Sequence, residues 1–243
     1  MPSLRLPNQL IWFAHCPKAG GTSVERILVD TWGGRVAHLH WGWDLWWRNG
    51  GWRHADPPNS PQHLTWADAQ QALDRHPSAV FALVRDPVAR LASEHRYQRH
   101  LRRGSWMGRA IAHLPFSMWL RLMLAVQARH PFAFDNHLRP QSDFVPADAM
   151  TFRLEDGMEA PIAWLEAITE TRLPAPSRHL ETGRPTSPDV DPHDAALIAA
   201  TYAEDYQRFG YAPLEASPPR KDASRWTGLL APIVVWLDKR GRL

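Results

Sequence analysis

Residues 9–30 constrain this chain more than any other stretch. Gln9-Leu10-Ile11-Trp12-Phe13 is a short apolar run of the kind that forms a buried strand. Ala14-His15-Cys16-Pro17-Lys18-Ala19-Gly20-Gly21-Thr22-Ser23 follows, and then Val24, Ile27 and Leu28 recur at helical spacing over residues 23–30. A strand, a glycine loop and a helix in that order present backbone N–H groups at the helix start. Two glycines let the backbone approach an anion, and Lys18 adds a full positive charge. The segment reads as the seat of a phosphate-bearing ligand.

The nucleotide P-loop places its lysine after the last glycine, in the order G-x-x-x-x-G-K-[ST]. Lys18 precedes Gly20 and Gly21, so that template does not apply. A second segment has a related design. Ala79-Val80-Phe81-Ala82-Leu83-Val84 reads as another buried strand, ended by Arg85-Asp86-Pro87. Asp86 suits an N-cap and Pro87 the first turn of a helix running to about residue 101. Val88, Leu91, Ala92 and His95 share one side of that helix, and Ser93 lies two turns inside it.

Both segments resemble those of sulfotransferases that use 3′-phosphoadenosine 5′-phosphosulfate (PAPS). The closest likeness is to the branch of glycan 2-O-sulfotransferases and their bacterial relatives. Pro17-Lys18-Ala19-Gly20-Gly21-Thr22-Ser23 resembles the family's 5′-phosphosulfate loop. Arg85-Asp86-Pro87-Val88-Ala89-Arg90-Leu91-Ala92-Ser93 matches its 3′-phosphate loop, R-D-P-x-x-R-x-x-S. The resemblance implies that Lys18, Gly20, Gly21, Thr22 and Ser23 hold the 5′-phosphosulfate, while Arg85 and Ser93 hold the 3′-phosphate. An arginine suits that task because its planar fork offers two charge-assisted bonds to phosphate. Residues 135–141 resemble a substrate-side segment of the family, and residues 202–211 its closing helix and Phe-Gly-Tyr end.

Sulfuryl transfer needs a base for the acceptor hydroxyl and positive charge on the leaving side. Lys18 is the candidate for the leaving side. Histidine suits the base because it titrates near neutrality. His38-Leu39-His40 lies in a plausible second strand over residues 35–41, where alternation would put both imidazoles on one face. By likeness to the H-x-H pair of 2-O-sulfotransferases, His40 is the expected base and His38 its neighbour. His137 is the competing base, beside Arg139, which suits an anionic acceptor. No carboxylate or cysteine completes a metal site around the histidine pair, so no metal is expected.

Trp41, Trp43, Trp46, Trp47 and Trp52 crowd the next twelve residues. Tryptophans stack on sugar rings, so Trp43 is a candidate acceptor contact; a core plug or subunit contact is the alternative.

With 243 residues and 44% hydrophobic content, the chain suffices for one domain with a small appendage: residues 1–212 as the transferase domain and 213–243 as a tail. Cys16 is the only cysteine, so no intrachain disulfide forms, and no secretory leader pattern opens the sequence. A cytoplasmic setting is expected. The formal net charge of +3 does not call for nucleic acid, since no recognition motif accompanies the arginines at 96, 99, 102 and 103.

Strands alternating with helices predict an α/β fold with a parallel sheet, and the resemblance implies the P-loop-like sheet flanked by helices of sulfotransferases. Residues 68–75, 116–128, 159–170 and 194–209 read as helices and 150–154 as a late strand. Residues 229–237 are apolar and the next five mostly basic. That segment is too short to span a bilayer. Packing on the domain, lying on a membrane surface and pairing two subunits all suit it. The function expected is sulfuryl transfer from PAPS to a carbohydrate hydroxyl. A kinase-like nucleotide-dependent transferase and a nucleotide-binding module without turnover are the alternatives.

Overall fold

The apolar run at residues 9–13 forms the centre of a strand that extends to His15. A computed structural model describes residues 1–39, 59–72, 76–101, 106–174, 188, 190–215 and 225–238. Its sheet has five strands in the order β3-β1-β2-β4-β5. They are β1 (Ser3–Arg5), β2 (Leu10–His15), β3 (Val36–Ala37), β4 (Ala79–Val84) and β5 (Met150–Arg153).

Three of the four strands expected from the sequence, β2, β4 and β5, are parallel, with Phe13 opposite Phe81 and Phe81 opposite Met150. The sheet as a whole is mixed, which corrects the expectation of a wholly parallel one. β1 runs antiparallel to both β2 and β3. Four residues, 6–9, connect β1 to β2, and Leu6 N–H donates to the Gln9 carbonyl at 2.9 Å across the turn. So short a connection can join antiparallel strands only.

The chain forms two compact units, Met1–Arg85 with Gln141–Gly183, and Asp86–Pro140 with Arg184–Leu243. The first holds the sheet, with α1 (Gly21–Trp32), α2 (Trp66–Ala72) and a later helix, Glu159–Thr169. Its core joins Ile11, Phe13, Phe81 and Leu83 of the sheet to Val24 and Leu28 of α1 and Leu165 of the later helix. The alternating side chains of β2 explain this packing: Phe13 and His15 share one face of the strand.

In the second unit, the described residues form α3 (Pro87–Leu101), α4 (Trp106–Ala112) and α5 (Phe116–Gln127). Later helices are Pro192–Thr201, Ala203–Phe209 and Arg225–Asp238. Leu91, Trp119, Leu122, Met123, Ile198 and Tyr202 build its core. Asp86 caps α3 as the sequence predicts, its Oδ1 accepting from Ala89 N–H at 2.9 Å.

The single helix expected over residues 194–209 is two helices, broken at Tyr202, whose φ and ψ are −113° and 28°. Tyr202 is fully buried, donates its hydroxyl to the Leu138 carbonyl at 2.8 Å and lies under the Arg90 guanidinium. These tertiary contacts outweigh the helical periodicity on either side. The strand expected over residues 35–41 is only the two residues of β3, and the short β1 and the seven-residue α4 carry too little pattern to be read from sequence. Among the described residues, no helix is long and apolar enough to cross a membrane.

Candidate functional site

The loop between β2 and α1 is shaped by backbone torsions that its residues accept at a cost. Ala19 N–H donates to the Cys16 carbonyl at 3.2 Å, closing a turn with Pro17 and Lys18 at its centre. Lys18 has φ 65°, the sign a type II turn requires at its third position, where glycine or asparagine is usual. A lysine held there stores strain of about 1–2 kcal/mol. Gly20 precedes α1 with φ 89°, and a Cβ on it would lie 2.8 Å from Leu154 Cδ1. No side chain of the N-cap residue bonds the first turn of α1. The first N–H groups of a helix have no partner within it. The helix start and Lys18 therefore offer donors and positive charge to an anion.

Gly21 has a use that sequence reasoning missed. A Cβ there would collide with the imidazole of His15, which fills the space instead. His15 Nδ1 donates to Glu25 Oε1 at 2.8 Å, and both residues are buried. The end of β2 is thus joined to the first turns of α1 directly beneath the loop. Its signal in the sequence was a carboxylate at position 25, on the inward stripe with Val24 and Leu28.

Arg85, the residue after β4, brings the second motif to the first. Its Nη1 donates to the Lys18 carbonyl at 3.3 Å. The side-chain amide of Gln141 grips the Arg85 backbone, accepting from its N–H and donating to its carbonyl, both at 2.8 Å. Gln141 is fully buried. It belongs to the segment read as substrate-facing, and here it holds a nucleotide-loop residue.

In the second unit, Ser93 is half-buried on α3. Arg90 of the same motif is fully buried and donates to the His137 carbonyl at 3.0 Å and the Arg139 carbonyl at 2.7 Å. Phe134, Asp135 and Asn136 are consecutive left-handed residues, with φ of 52°, 56° and 64°. Asp238 accepts from Phe134 N–H at 3.0 Å, so this turn is secured at both ends.

The turn presents His137, whose Nδ1 donates to Glu94 Oε2 at 2.7 Å. Glu94 in turn accepts from Gln98 at 2.7 Å, and Gln98 from Trp119 at 3.1 Å. A carboxylate on Nδ1 selects the tautomer whose basic nitrogen is Nε2. Glu94 and Gln98 lie four residues apart on the buried side of α3, a polar pair on an apolar stripe. Arg139 stands over the Phe132 ring and donates to the Pro131 carbonyl and Asn136 Oδ1, each at 3.1 Å.

His38 sits differently from the strand position expected. β3 ends at Ala37, and His38 has φ 61°, so the alternation that would align it with His40 stops there. Its Nδ1 is 2.9 Å from Ser3 Oγ. Burial pushes its pKa down to about 3, with the N-terminal ammonium and Arg5 adding to the effect. His40, Trp43 and the rest of the tryptophan cluster lie outside the described residues.

Two motif loops therefore meet at the carboxyl ends of adjacent parallel strands, where α/β sheets hold their ligands. The model of the sulfotransferase family matches residues 3–212, and the chain belongs to that family. Its chemistry is sulfuryl transfer, which requires a hydroxyl-bearing acceptor. No curated protein and no solved structure matches the chain.

Proposed function

We propose that this sulfotransferase takes its sulfuryl group from PAPS and passes it to a carbohydrate hydroxyl. The observation that carries this reading is the bond from Arg85 Nη1 to the Lys18 carbonyl at 3.3 Å. It joins the sequence that resembles the 3′-phosphate loop to the one that resembles the 5′-phosphosulfate loop. The donor set suits a polyanion: an uncapped helix start, a lysine and an arginine.

In this reading Lys18, Gly20, Gly21, Thr22 and Ser23 hold the 5′-phosphosulfate, and Arg85 and Ser93 the 3′-phosphate. When bound, PAPS supplies an activated sulfuryl group. The acceptor oxygen forms a bond to sulfur as the bond to the bridging phosphate oxygen breaks, and the hydroxyl proton passes to a base. Lys18 balances the charge that develops on the leaving oxygen. His40 is the base implied by resemblance; His137 has the Glu94 carboxylate that a histidine base uses to fix its tautomer. His38, Trp43 and Arg139 are the remaining acceptor-side candidates. The proposed setting is the cytoplasm, with no metal and no nucleic acid involved. Contact with a membrane is a separate proposal, carried by the C-terminal helix rather than by the nucleotide loops.

Calorimetric titration with 3′-phosphoadenosine 5′-phosphate, against ATP with magnesium, tests the donor. Binding that needs the 3′-phosphate and is lost in Arg85→Ala supports PAPS. Tighter binding of ATP favours the kinase-like reading. With a carbohydrate acceptor in hand, turnover in His40→Ala and His137→Ala identifies the base. Nucleotide binding without turnover on any hydroxyl acceptor favours the binding-module reading.

A further inference from the structure

The helix that carries the R-D-P-x-x-R-x-x-S motif has a second, inward side. Arg90, Glu94 and Gln98 follow at four-residue intervals on α3 and are 0%, 2% and 2% exposed. Polar side chains buried in a row cost free energy unless their hydrogen bonds are made. Here the bonds converge on His137. Arg90 donates to its backbone carbonyl at 3.0 Å, and Glu94 accepts from its Nδ1 at 2.7 Å. Tyr97, also on α3, stacks on the imidazole, the ring centroids 5.6 Å apart and the planes 22° from parallel. One helix thus sets the backbone, the ring plane and a ring nitrogen, while a tenth of the His137 side chain stays exposed.

These bonds have a fixed direction. The indole N–H of Trp119 can donate and never accept. It donates to Gln98 Oε1 at 3.1 Å, which turns the Gln98 amide nitrogen toward Glu94 Oε1 at 2.7 Å. Glu94 accepts there, and accepts again through Oε2 from His137 Nδ1. The hydrogen of the neutral imidazole is therefore on Nδ1 and the lone pair on Nε2. Tying residues 134–140 to α3 requires none of this, since Arg90 already holds the His137 and Arg139 carbonyls. The second chain of bonds acts on one proton.

We infer that His137, not His40, is the base of sulfuryl transfer, and that Glu94 is its positioning residue, oriented by Gln98 and Trp119. The inference rests on the reaction proposed above and adds the residues of its proton step. As the acceptor oxygen bonds to sulfur, the bridging bond breaks and its electron pair leaves with the nucleotide. The hydroxyl proton goes to Nε2, and the imidazolium so formed lies against the Glu94 carboxylate.

Glu94→Gln tests the direction while keeping the shape. Its single oxygen must turn to the Gln98 amide, so its NH2 faces Nδ1 and the ring hydrogen moves to Nε2. Nitrogen NMR of the isotope-labelled full chain reads this, with the His137 signals assigned by their loss in His137→Asn. The hydrogen is expected on Nδ1 in the wild type and on Nε2 in Glu94→Gln. Transfer from radiolabelled PAPS to dextran, hyaluronan and octyl glucoside is the second readout. In Glu94→Gln, kcat is expected to fall at least about a hundredfold, with KM within about threefold of wild type and binding of 3′-phosphoadenosine 5′-phosphate unchanged. Turnover that survives Glu94→Gln overturns the proposal. So does a wild-type His137 with its hydrogen on Nε2, a result that needs no folded variant. A wild type that transfers to none of these acceptors overturns the proposed reaction itself, and this role with it.

Discussion

The imidazole of His15 fills the space that a side chain on Gly21 would need. The loop over the start of α1 therefore rests on a buried histidine fixed by Glu25 at 2.8 Å. Gly21→Ala is expected to destabilise the protein by about 1–3 kcal/mol, the usual range for overpacking a filled site. In a His15→Ala background the same substitution should cost little, because the colliding group is gone. Denaturant unfolding of the wild type, both single variants and the double variant measures the coupling, which should reach at least about 1 kcal/mol. Additive losses would mean that Gly21 is needed for some other reason.

Lys18 occupies a left-handed backbone position, φ 65°, that suits glycine better than any residue with a Cβ. Lys18→Gly and Lys18→Ala both remove the ammonium and should both abolish sulfuryl transfer. They should differ in stability, the glycine variant exceeding the alanine variant by about 1 kcal/mol through relief of backbone strain, less its entropy in the unfolded chain. Thermal unfolding of the pair isolates the backbone contribution, since the lost side-chain contacts are the same. Equal stabilities would remove strain from the account of this loop.

Gln141 bonds both backbone groups of Arg85 at 2.8 Å. Gln141→Ala leaves that N–H and carbonyl without their partner and should cost about 1–3 kcal/mol. If Arg85 binds the 3′-phosphate, affinity for 3′-phosphoadenosine 5′-phosphate should fall as well, though less than in Arg85→Ala. Calorimetry on the folded variant reads the affinity and denaturant unfolding the stability. Unchanged affinity would assign Gln141 to the fold alone.

His38 gives the fold a pH dependence of known sign. Burial holds its pKa near 3, against 6.5 for an ordinary histidine. The unfolded chain therefore takes up this proton more readily than the folded one. The contribution of His38 is fully present above about pH 6.5 and is lost as pH falls toward 3, at up to about 1.4 kcal/mol per pH unit. Asparagine accepts φ near 60° and does not titrate, so His38→Asn should flatten this part of the profile. Denaturant midpoints for both proteins, stepped from neutral pH to about pH 4, make the comparison. Parallel profiles would exclude His38 as the source.

The chain's order of residues already determined its central chemistry. The apolar runs before Lys18 and Arg85 each had one reading as buried strands, and β4 and α3 occur where their patterns begin and end. Local signals of this kind, an apolar run, a capping aspartate, a proline at a helix start, act over a few residues and so survive in the linear string. What lay beyond it were relationships that depend on distance in space. Nothing in the string says that Gly21 leaves room for His15, that Gln141 grips Arg85 from 56 residues away, or that Glu94 orients His137. Each is a buried polar group on an otherwise apolar face, and burial is paid for by a partner whose place only the folded chain decides. The same holds for the C-terminal run: its composition allowed packing, a membrane and a second subunit alike, and only docking on α5 determined which side chains face inward and which remain exposed.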